Sequence, residues 1–232
     1  MSNPINITFL GTSQAIPTAN RNHTAILLQY QGENILVDCG EGTQRQFRKA
    51  RINPCKITRI LITHWHGDHI LGLAGLLQTL LLNGYNKTLY IYGPKGTKND
   101  LHELINLLVP YNKIPLKVEE ISEGKFLDTK DFYLESIPIQ HSIPCNAYAF
   151  VEKDKIRLDR KKLKQFKIPN SPLMASPAAP SPKPLMSFLA GAVFPSIAAA
   201  AALPPATIPR NGAAASSLAS PIRCFGPTPG TT

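Results

Sequence analysis

The sequence predicts an α/β fold, and three observations support this prediction. Residues 57–63 are mostly apolar and β-branched, which is typical of a buried strand. Residues 70–82 are apolar almost throughout, which is typical of a buried helix. The polar residues between the two runs therefore lie at the carboxyl end of a strand, where open α/β sheets carry their functional sites.

The other elements follow from periodicity and from turn residues. Three strands and a short basic helix are predicted before this unit, at 5–10, 24–30, 35–37 and 43–50. The second and third strands are joined by a hairpin turn at 31–34. After the unit we predict strands at 89–92, 117–121, 131–137 and 147–151, and a helix at 97–108.

The turn between the buried strand and the buried helix reads Thr63-His64-Trp65-His66-Gly67-Asp68-His69. It holds half of the six histidines of the chain. Imidazole nitrogen and carboxylate oxygen are ligands that Zn²⁺ prefers. His64 and His66 alternate as on an extended chain, so both rings can point one way, whereas Asp68 and His69 follow a flexible glycine and aim at a second point. The spacing predicts two metal ions about 3.5–4 Å apart. A surface turn that happens to be rich in histidine is the alternative.

Further candidate residues lie outside this turn. His141 follows the predicted strand 131–137 just as the turn follows its own strand, and we interpret it as a further ligand. A histidine that caps a loop is the alternative. Residues 38–43, with two glycines beside an acid, predict a tight loop near the metal site. His23 and His102 have no such setting and are predicted to be ordinary polar side chains.

Composition indicates one globular domain with a basic surface. The chain has 232 residues, of which 43% are hydrophobic and 17% charged. The net charge of +10 predicts a polyanionic partner, nucleic acid above all, although solvating lysines are an alternative. Four cysteines without a C-x-x-C pair indicate reduced thiols and a cytoplasmic location. No signal peptide opens the chain, and the apolar stretch 188–203 is too short for a convincing membrane span.

The character of the chain changes after residue 152. Lys and Arg crowd the segment 153–167, which predicts either a solvated helix face or an arm that binds phosphate. From residue 171 onwards Ala, Pro, Ser and Gly dominate, and Asp, Glu and His are absent. This composition predicts a disordered tail.

From Ile5 to about Pro172 the chain resembles ribonuclease Z, the tRNA 3′-processing endonuclease of the metallo-β-lactamase fold. The matching stretches are Phe9-Leu10-Gly11-Thr12, Pro17 with Arg21-Asn22, Asp38-Cys39-Gly40-Glu41-Gly42-Thr43-Gln44, the histidine-rich turn, Tyr92-Gly93-Pro94 and Ile139-Gln140-His141. The resemblance implies an αββα sandwich, incomplete in this chain. It divides the sequence into a core at 1–152, the start of a basic tRNA-binding arm at 153–172 and a tail at 173–232.

The resemblance also implies residue roles. His64, His66 and His141 would hold one Zn²⁺, while Asp68 and His69 would hold a second, with Asp68 also the catalytic general base. The residues expected to bind RNA are Arg157, Arg160, Lys161, Lys162 and Lys164. The expected substrate is precursor tRNA, cleaved to leave a 3′-hydroxyl, and the expected assembly is a cytoplasmic homodimer without membrane contact.

The chain departs from the family pattern in its last third. The family carries there a second Asp that bridges both metals and a last His on the second ion. This chain has no acid after Asp159 and no histidine after His141, so the second zinc site is incomplete. Two alternatives follow. One is an inactive truncated or frameshifted fragment that binds only RNA or a partner subunit, and the other is a different phosphodiesterase of the same fold.

Overall fold

The computed structural model describes residues 4–111 and 113–154, together with the backbone of 187–190. The strands are β1 (Asn6–Gly11), β2 (Ala25–Tyr30), β3 (Glu33–Val37), β4 (Arg59–Leu61), β5 (Leu89–Gly93), β6 (Leu116–Glu120), β7 (Gly124–Asp128), β8 (Phe132–Pro138), β9 (Asn146–Glu152) and β10 (Ser187–Ala190). The helices are α1 (Thr43–Lys49), α2 (Gly67–Ile70), α3 (Leu73–Leu82) and α4 (Thr97–Leu108), with a 3₁₀ turn at Pro54–Lys56. These elements all belong to one compact unit, Met1–Val193. A second unit, Phe194–Thr232, lies outside the described residues.

The strands form two sheets. The first has the order β1-β2-β3-β4-β5-β6, antiparallel from β1 to β3 and parallel from β3 to β6. The second has the order β10-β9-β8-β7 and is antiparallel throughout. Parallel pairing aligns the carboxyl ends of β3 and β4 at one edge, where the loops that follow them meet.

Two hydrophobic cores define the layers. One joins the first sheet to the helices and includes Leu36, Ile60, Phe47 and Leu77. The other lies between the two sheets and is built on aromatic residues such as Tyr30 and Phe150. Within the described part of the chain the layers are therefore helix, sheet, sheet. The outer helix layer that would complete an αββα sandwich is not among these residues.

The hairpin between β2 and β3 is tighter than the predicted turn at 31–34, because β3 already begins at Glu33. Gln31 has φ 48° and Gly32 has φ 89°, so both central residues of the two-residue turn are left-handed. This is the type I′ geometry that matches the twist of an antiparallel pair. The tight turn sets the register in which Tyr30 faces Glu33, and β3 then runs directly to Asp38.

Several elements differ from those predicted. The apolar run 70–82 is divided between α2 and α3, and at the division the amide of Gly72 donates to the carbonyl of Cys39 at 2.9 Å. Strand β4 keeps only three of the residues predicted for it, and β7 was not predicted at all.

Strand β10 lies in the segment whose composition predicts disorder. Its backbone pairs with β9, with Ser187 opposite Val151 and Ala190 opposite Tyr148. Beyond Asp154, the predicted arm and tail, 153–172 and 173–232, otherwise lie outside the described residues.

In the part of the chain that the structure describes, Cys39, Cys55 and Cys145 are free thiols, and no helix is both long and apolar enough to cross a membrane.

Candidate metal centre

The site begins where β3 and β4 end side by side. Asp38 follows β3 and Thr63 follows Ile62 beyond β4, and the amide of Asp38 donates to the carbonyl of Leu61 at 2.9 Å. The Asp38 carboxylate accepts from the amide of Thr63 at 2.8 Å and from its hydroxyl at 2.9 and 3.0 Å. Asp38 is 2% exposed and has φ 57°, a conformation that Asp tolerates better than most residues. These bonds fix the start of the histidine-rich turn.

The same carboxylate orients His69. The Nδ1 atom of His69 lies 2.7 Å from Oδ2 of Asp38, while Nε2 lies 3.4 Å from Oδ2 of Asp68. Burial alone would lower the pKa of His69, but the hydrogen bond to Asp38 and the charges of Asp38 and Asp68 outweigh it and raise the pKa. Because Asp38 occupies Nδ1, Nε2 is the nitrogen that faces Asp68. A histidine ligand held by a carboxylate in this way is common at metal sites.

Three imidazoles converge beside this pair. His64, His66 and His141 each offer one ring nitrogen, and the three nitrogens lie within 4.8 Å of one another. Nε2 of His141 is 3.1 Å from Nδ1 of His66, and the three ring centroids are 4.7 to 4.9 Å apart. Burial, followed by the charges of the neighbouring histidines, lowers the pKa of His64 to about 3. His64 is therefore neutral near pH 7, the form in which imidazole binds a metal.

The second sheet positions His141 in this cluster. His141 follows β8, and two hydrogen bonds attach the next strand, β9, to the histidine-rich turn. The amide of Asn146 donates to the carbonyl of Thr63 at 2.9 Å, and the hydroxyl of Tyr148 donates to the carbonyl of Ile62 at 2.8 Å. The structure thus brings together the three histidines that the resemblance implies for one ion.

The loop after β3 presses against the turn, as the sequence predicts. The amide of Cys39 donates to the carbonyl of His69 at 2.7 Å, and the amide of Gly72 donates to the carbonyl of Cys39 at 2.9 Å. A side-chain carbon on Gly40 would lie 2.4 Å from the carbonyl oxygen of Asp68. Only glycine therefore fits at position 40 without displacing the turn.

Trp65 attaches the turn to α4, and sequence reasoning missed this contact. The indole Nε1 donates to Oγ1 of Thr97 at 2.9 Å, and Thr97 is fully buried at the start of the helix. Glu120 accepts hydrogen bonds from the amides of Gly96 and Lys98 and so fixes the same helix end. An aromatic residue within the turn was the only available signal, because its partner lies 32 positions away.

The donor atoms fit a metal ion at the first position. Three imidazole nitrogens with one open position are a common set for catalytic Zn²⁺. Asp68 and His69 offer two further donor atoms at a neighbouring position, which is fewer than a closed site needs. In the described part of the chain, the cluster of His64, His66 and His141 is the group of three or more ligands that could hold a metal.

The remaining residues considered in the sequence analysis are five cations and two histidines. The five predicted RNA-binding cations, Arg157 to Lys164, lie outside the described residues. His102 is exposed and contacts Asn106, as expected of an ordinary polar side chain. His23 is different, because it is only 5% exposed and neither ring nitrogen has a hydrogen-bond partner. The expectation of an ordinary polar role for His23 is wrong, since the loop carrying it packs against Gly11 and Gly40.

Comparisons with known proteins agree with this geometry. The family model described as Anti-Pycsar protein Apyc1 matches residues 5–158. The chain belongs to this family. It is also 44% identical over 175 residues to ribonuclease Z of Methanococcus aeolicus, a match that covers 73% of this chain and 54% of the relative. The chain therefore spans about half the length of the curated relatives that it matches, and the resemblance of its N-terminal two-thirds to ribonuclease Z is confirmed.

Solved structures confirm the fold. The short form of human tRNase Z superposes with a TM-score of 0.57 at 33% identity, covering 63% of each chain. YhfI of Bacillus subtilis, a metallo-β-lactamase fold protein, gives a TM-score of 0.54 at 22% identity, covering 64% of this chain and 58% of YhfI. The metallo-β-lactamase fold predicted from the sequence is thereby confirmed.

Proposed function

We propose that the chain is a zinc-dependent endoribonuclease that removes the 3′ extension of precursor tRNA and leaves a 3′-hydroxyl. The convergence of His64, His66 and His141 carries this proposal, because it joins residues 75 positions apart into one donor set. The curated relatives support the choice of reaction, since those at about 44% identity are named ribonuclease Z. A different phosphodiesterase of the same fold has no comparable support.

Each site residue has a role in this proposal. His64, His66 and His141 hold one Zn²⁺, and Asp68 and His69 bind at the second position. Bound Zn²⁺ would lower the pKa of the attacking water and would offset the negative charge that develops on the phosphoryl oxygens. Asp68 takes the proton of that water as it attacks phosphorus. The bond between phosphorus and the 3′ oxygen breaks, and that oxygen takes the proton back from Asp68 to become the 3′-hydroxyl of the tRNA. The phosphate stays on the 5′ end of the released extension.

The second metal position has only two protein ligands, Asp68 and His69, among the described residues. The sequence holds no Asp, Glu or His after Asp159, so no carboxylate or imidazole beyond that residue can join Asp68 and His69. The alternative is a chain that binds RNA or a partner subunit without cleaving. Zinc stoichiometry distinguishes the two functions, because a chain that cleaves by the two-metal route needs both ions.

Substrate binding and assembly are also part of the proposal. The basic segment from Arg157 to Lys164 would contact tRNA phosphates, in keeping with the net charge of +10. We expect a homodimer, and a reducing compartment such as the cytoplasm fits Cys39, Cys55 and Cys145, which are free thiols.

The test combines metal content with product analysis. The full chain is loaded with zinc, its zinc content is measured by mass spectrometry, and it is incubated with tRNA carrying a 3′ extension. Two zinc ions per chain and a product ending in a 3′-hydroxyl are expected. Asp68→Ala should abolish cleavage and keep RNA binding, whereas the control His102→Ala should cleave as the parent does. One ion or none, with RNA bound but uncut, would refute the enzymatic function.

A further inference from the structure

The outer surface of α1 and its C-terminal end carries four cations. We call Arg45, Arg48, Lys49 and Arg51 the α1 basic surface. All four side chains are exposed, and none forms a salt bridge among the residues that the structure describes. The sequence from 42 to 67 holds no Asp or Glu, so the neighbouring positions along the chain do not neutralise this charge.

Helix stability does not explain these cations. Arg48 and Lys49 lie in the last turn, where cations interact favourably with the helix dipole. Arg45 lies in the first turn, where a cation faces the positive end of the dipole and is unfavourable. Arg45 also lies three and four positions before Arg48 and Lys49, a spacing at which like charges repel. The helix would be more stable with a neutral residue at position 45.

The fold anchors α1 to the loop that packs against the histidine-rich turn. Phe47 on its inner face is fully buried, and the hydroxyl of Thr43 donates to the carbonyl of Gly40 at 2.6 Å. Gly40 in turn packs against the backbone of Asp68. With a rise of 1.5 Å per residue, the far end of α1 is about 10 Å along the helix axis from that loop. The α1 basic surface is therefore carried by the helix that begins beside the loop packed against Asp68.

We propose that the α1 basic surface binds the phosphate backbone of the RNA on which the metal centre acts. This inference rests on the proposed function, because it takes RNA as the substrate. The charge complementarity is direct, since a cluster of exposed cations attracts a polyanion and phosphate contacts position nucleic acid without reading its sequence. The contribution of this surface should therefore be the same for different RNA sequences.

The test is a salt titration of binding with a matched control. The variant Arg45→Gln/Arg48→Gln/Lys49→Gln is compared with Lys87→Gln/Lys113→Gln/Lys130→Gln, which removes three exposed cations elsewhere. Fluorescence anisotropy gives the Kd for 3′-extended tRNA over a range of salt concentrations. The slope of log K against log salt should become shallower by about 2 to 3 in the α1 variant. We expect at least about a tenfold weaker Kd near physiological salt, and no such change in the control.

Two comparisons keep the outcomes separate. If the parent binds RNA without cutting it and the α1 variant loses affinity, the enzymatic function fails and the α1 proposal stands. If the parent cleaves and the α1 variant binds with an unchanged slope and a Kd within twofold, the α1 proposal is overturned. If the triple variant does not fold stably, Arg48→Gln/Arg51→Gln replaces it, with an expected slope change of about 1 to 2. An unchanged slope in that double variant also overturns the proposal.

Discussion

Asp38 and His69 form a buried pair, with Nδ1 of the imidazole 2.7 Å from Oδ2 of the carboxylate. The pair joins the loop after β3 to the end of the histidine-rich turn, 31 positions later. The same carboxylate accepts from the amide and hydroxyl of Thr63 at the start of the turn. One side chain therefore fixes both ends of the segment that carries four of the proposed ligands.

Removing this carboxylate should destabilise the fold. Asp38→Ala leaves the amide of Thr63 and Nδ1 of His69 buried without an acceptor, so the free energy of unfolding should fall by about 2–4 kcal/mol. Urea denaturation of the metal-free chain measures it. Asp38→Asn keeps one acceptor oxygen and tolerates the left-handed backbone, so its loss should be about half as large. A loss below about 0.5 kcal/mol for the alanine variant would show that the pair contributes little to stability.

Removing His141 should weaken zinc binding far more than folding. His141→Ala deletes one of three converging donors, and we expect zinc affinity to fall by more than about 100-fold, since even residues that only orient ligands contribute 10–100-fold. Competition with a chromophoric chelator measures the affinity.

His102→Ala is the matched control, because His102 is an exposed histidine on α4. Zinc at 100 times its Kd should raise the unfolding free energy of the parent by about 2.7 kcal/mol. The same zinc concentration should stabilise the His141 variant by much less. Equal zinc affinity in parent and variant would remove His141 from the site.

A methyl group at position 40 should disrupt the turn. The new carbon in Gly40→Ala would lie 2.4 Å from the backbone oxygen of Asp68, so the loop or the turn must move. We expect a loss of about 2–4 kcal/mol in unfolding free energy, measured by urea denaturation. Gly75→Ala is the control, because its new carbon meets the flexible end of Gln44 at 3.0 Å. Within helix α3 alanine should be neutral or favourable by up to about 1 kcal/mol. A harmless Gly40→Ala would contradict the close packing of loop and turn.

The contact between Trp65 and Thr97 should appear as a coupling energy. Trp65→Phe and Thr97→Val each remove one side of the hydrogen bond between turn and helix. A double-mutant cycle on unfolding free energy should give a coupling of about 1 kcal/mol. Strictly additive losses would mean that the hydrogen bond adds nothing beyond the packing of the two side chains.

Local chemistry made part of this site predictable. The histidine-rich turn follows a predicted strand and contains a glycine and four donor side chains. All of these residues lie within seven positions, so the pattern is visible in the sequence. His141 was predictable as a candidate because it follows a strand with clear alternation. The hairpin was predictable because Gly32 accepts the positive φ angle that a tight turn needs, whereas the positive φ of Gln31 has no signal in the sequence.

Long-range contacts set the rest, and local patterns do not encode them. The pairing of Asp38 with His69 depends on β3 and β4 lying side by side, a register that the sequence does not show. At the break between α2 and α3, the amide of Gly72 donates to the carbonyl of Cys39, which lies in a loop distant along the chain. The burial of His23 likewise arises from packing of loops that are distant in the chain.

Determining which atoms bind zinc in the loaded chain tests the central claim most directly. A crystal structure of the full chain grown with zinc should show one ion bound by a ring nitrogen from each of His64, His66 and His141. An ion bound elsewhere, or one that excludes His141, would contradict the account.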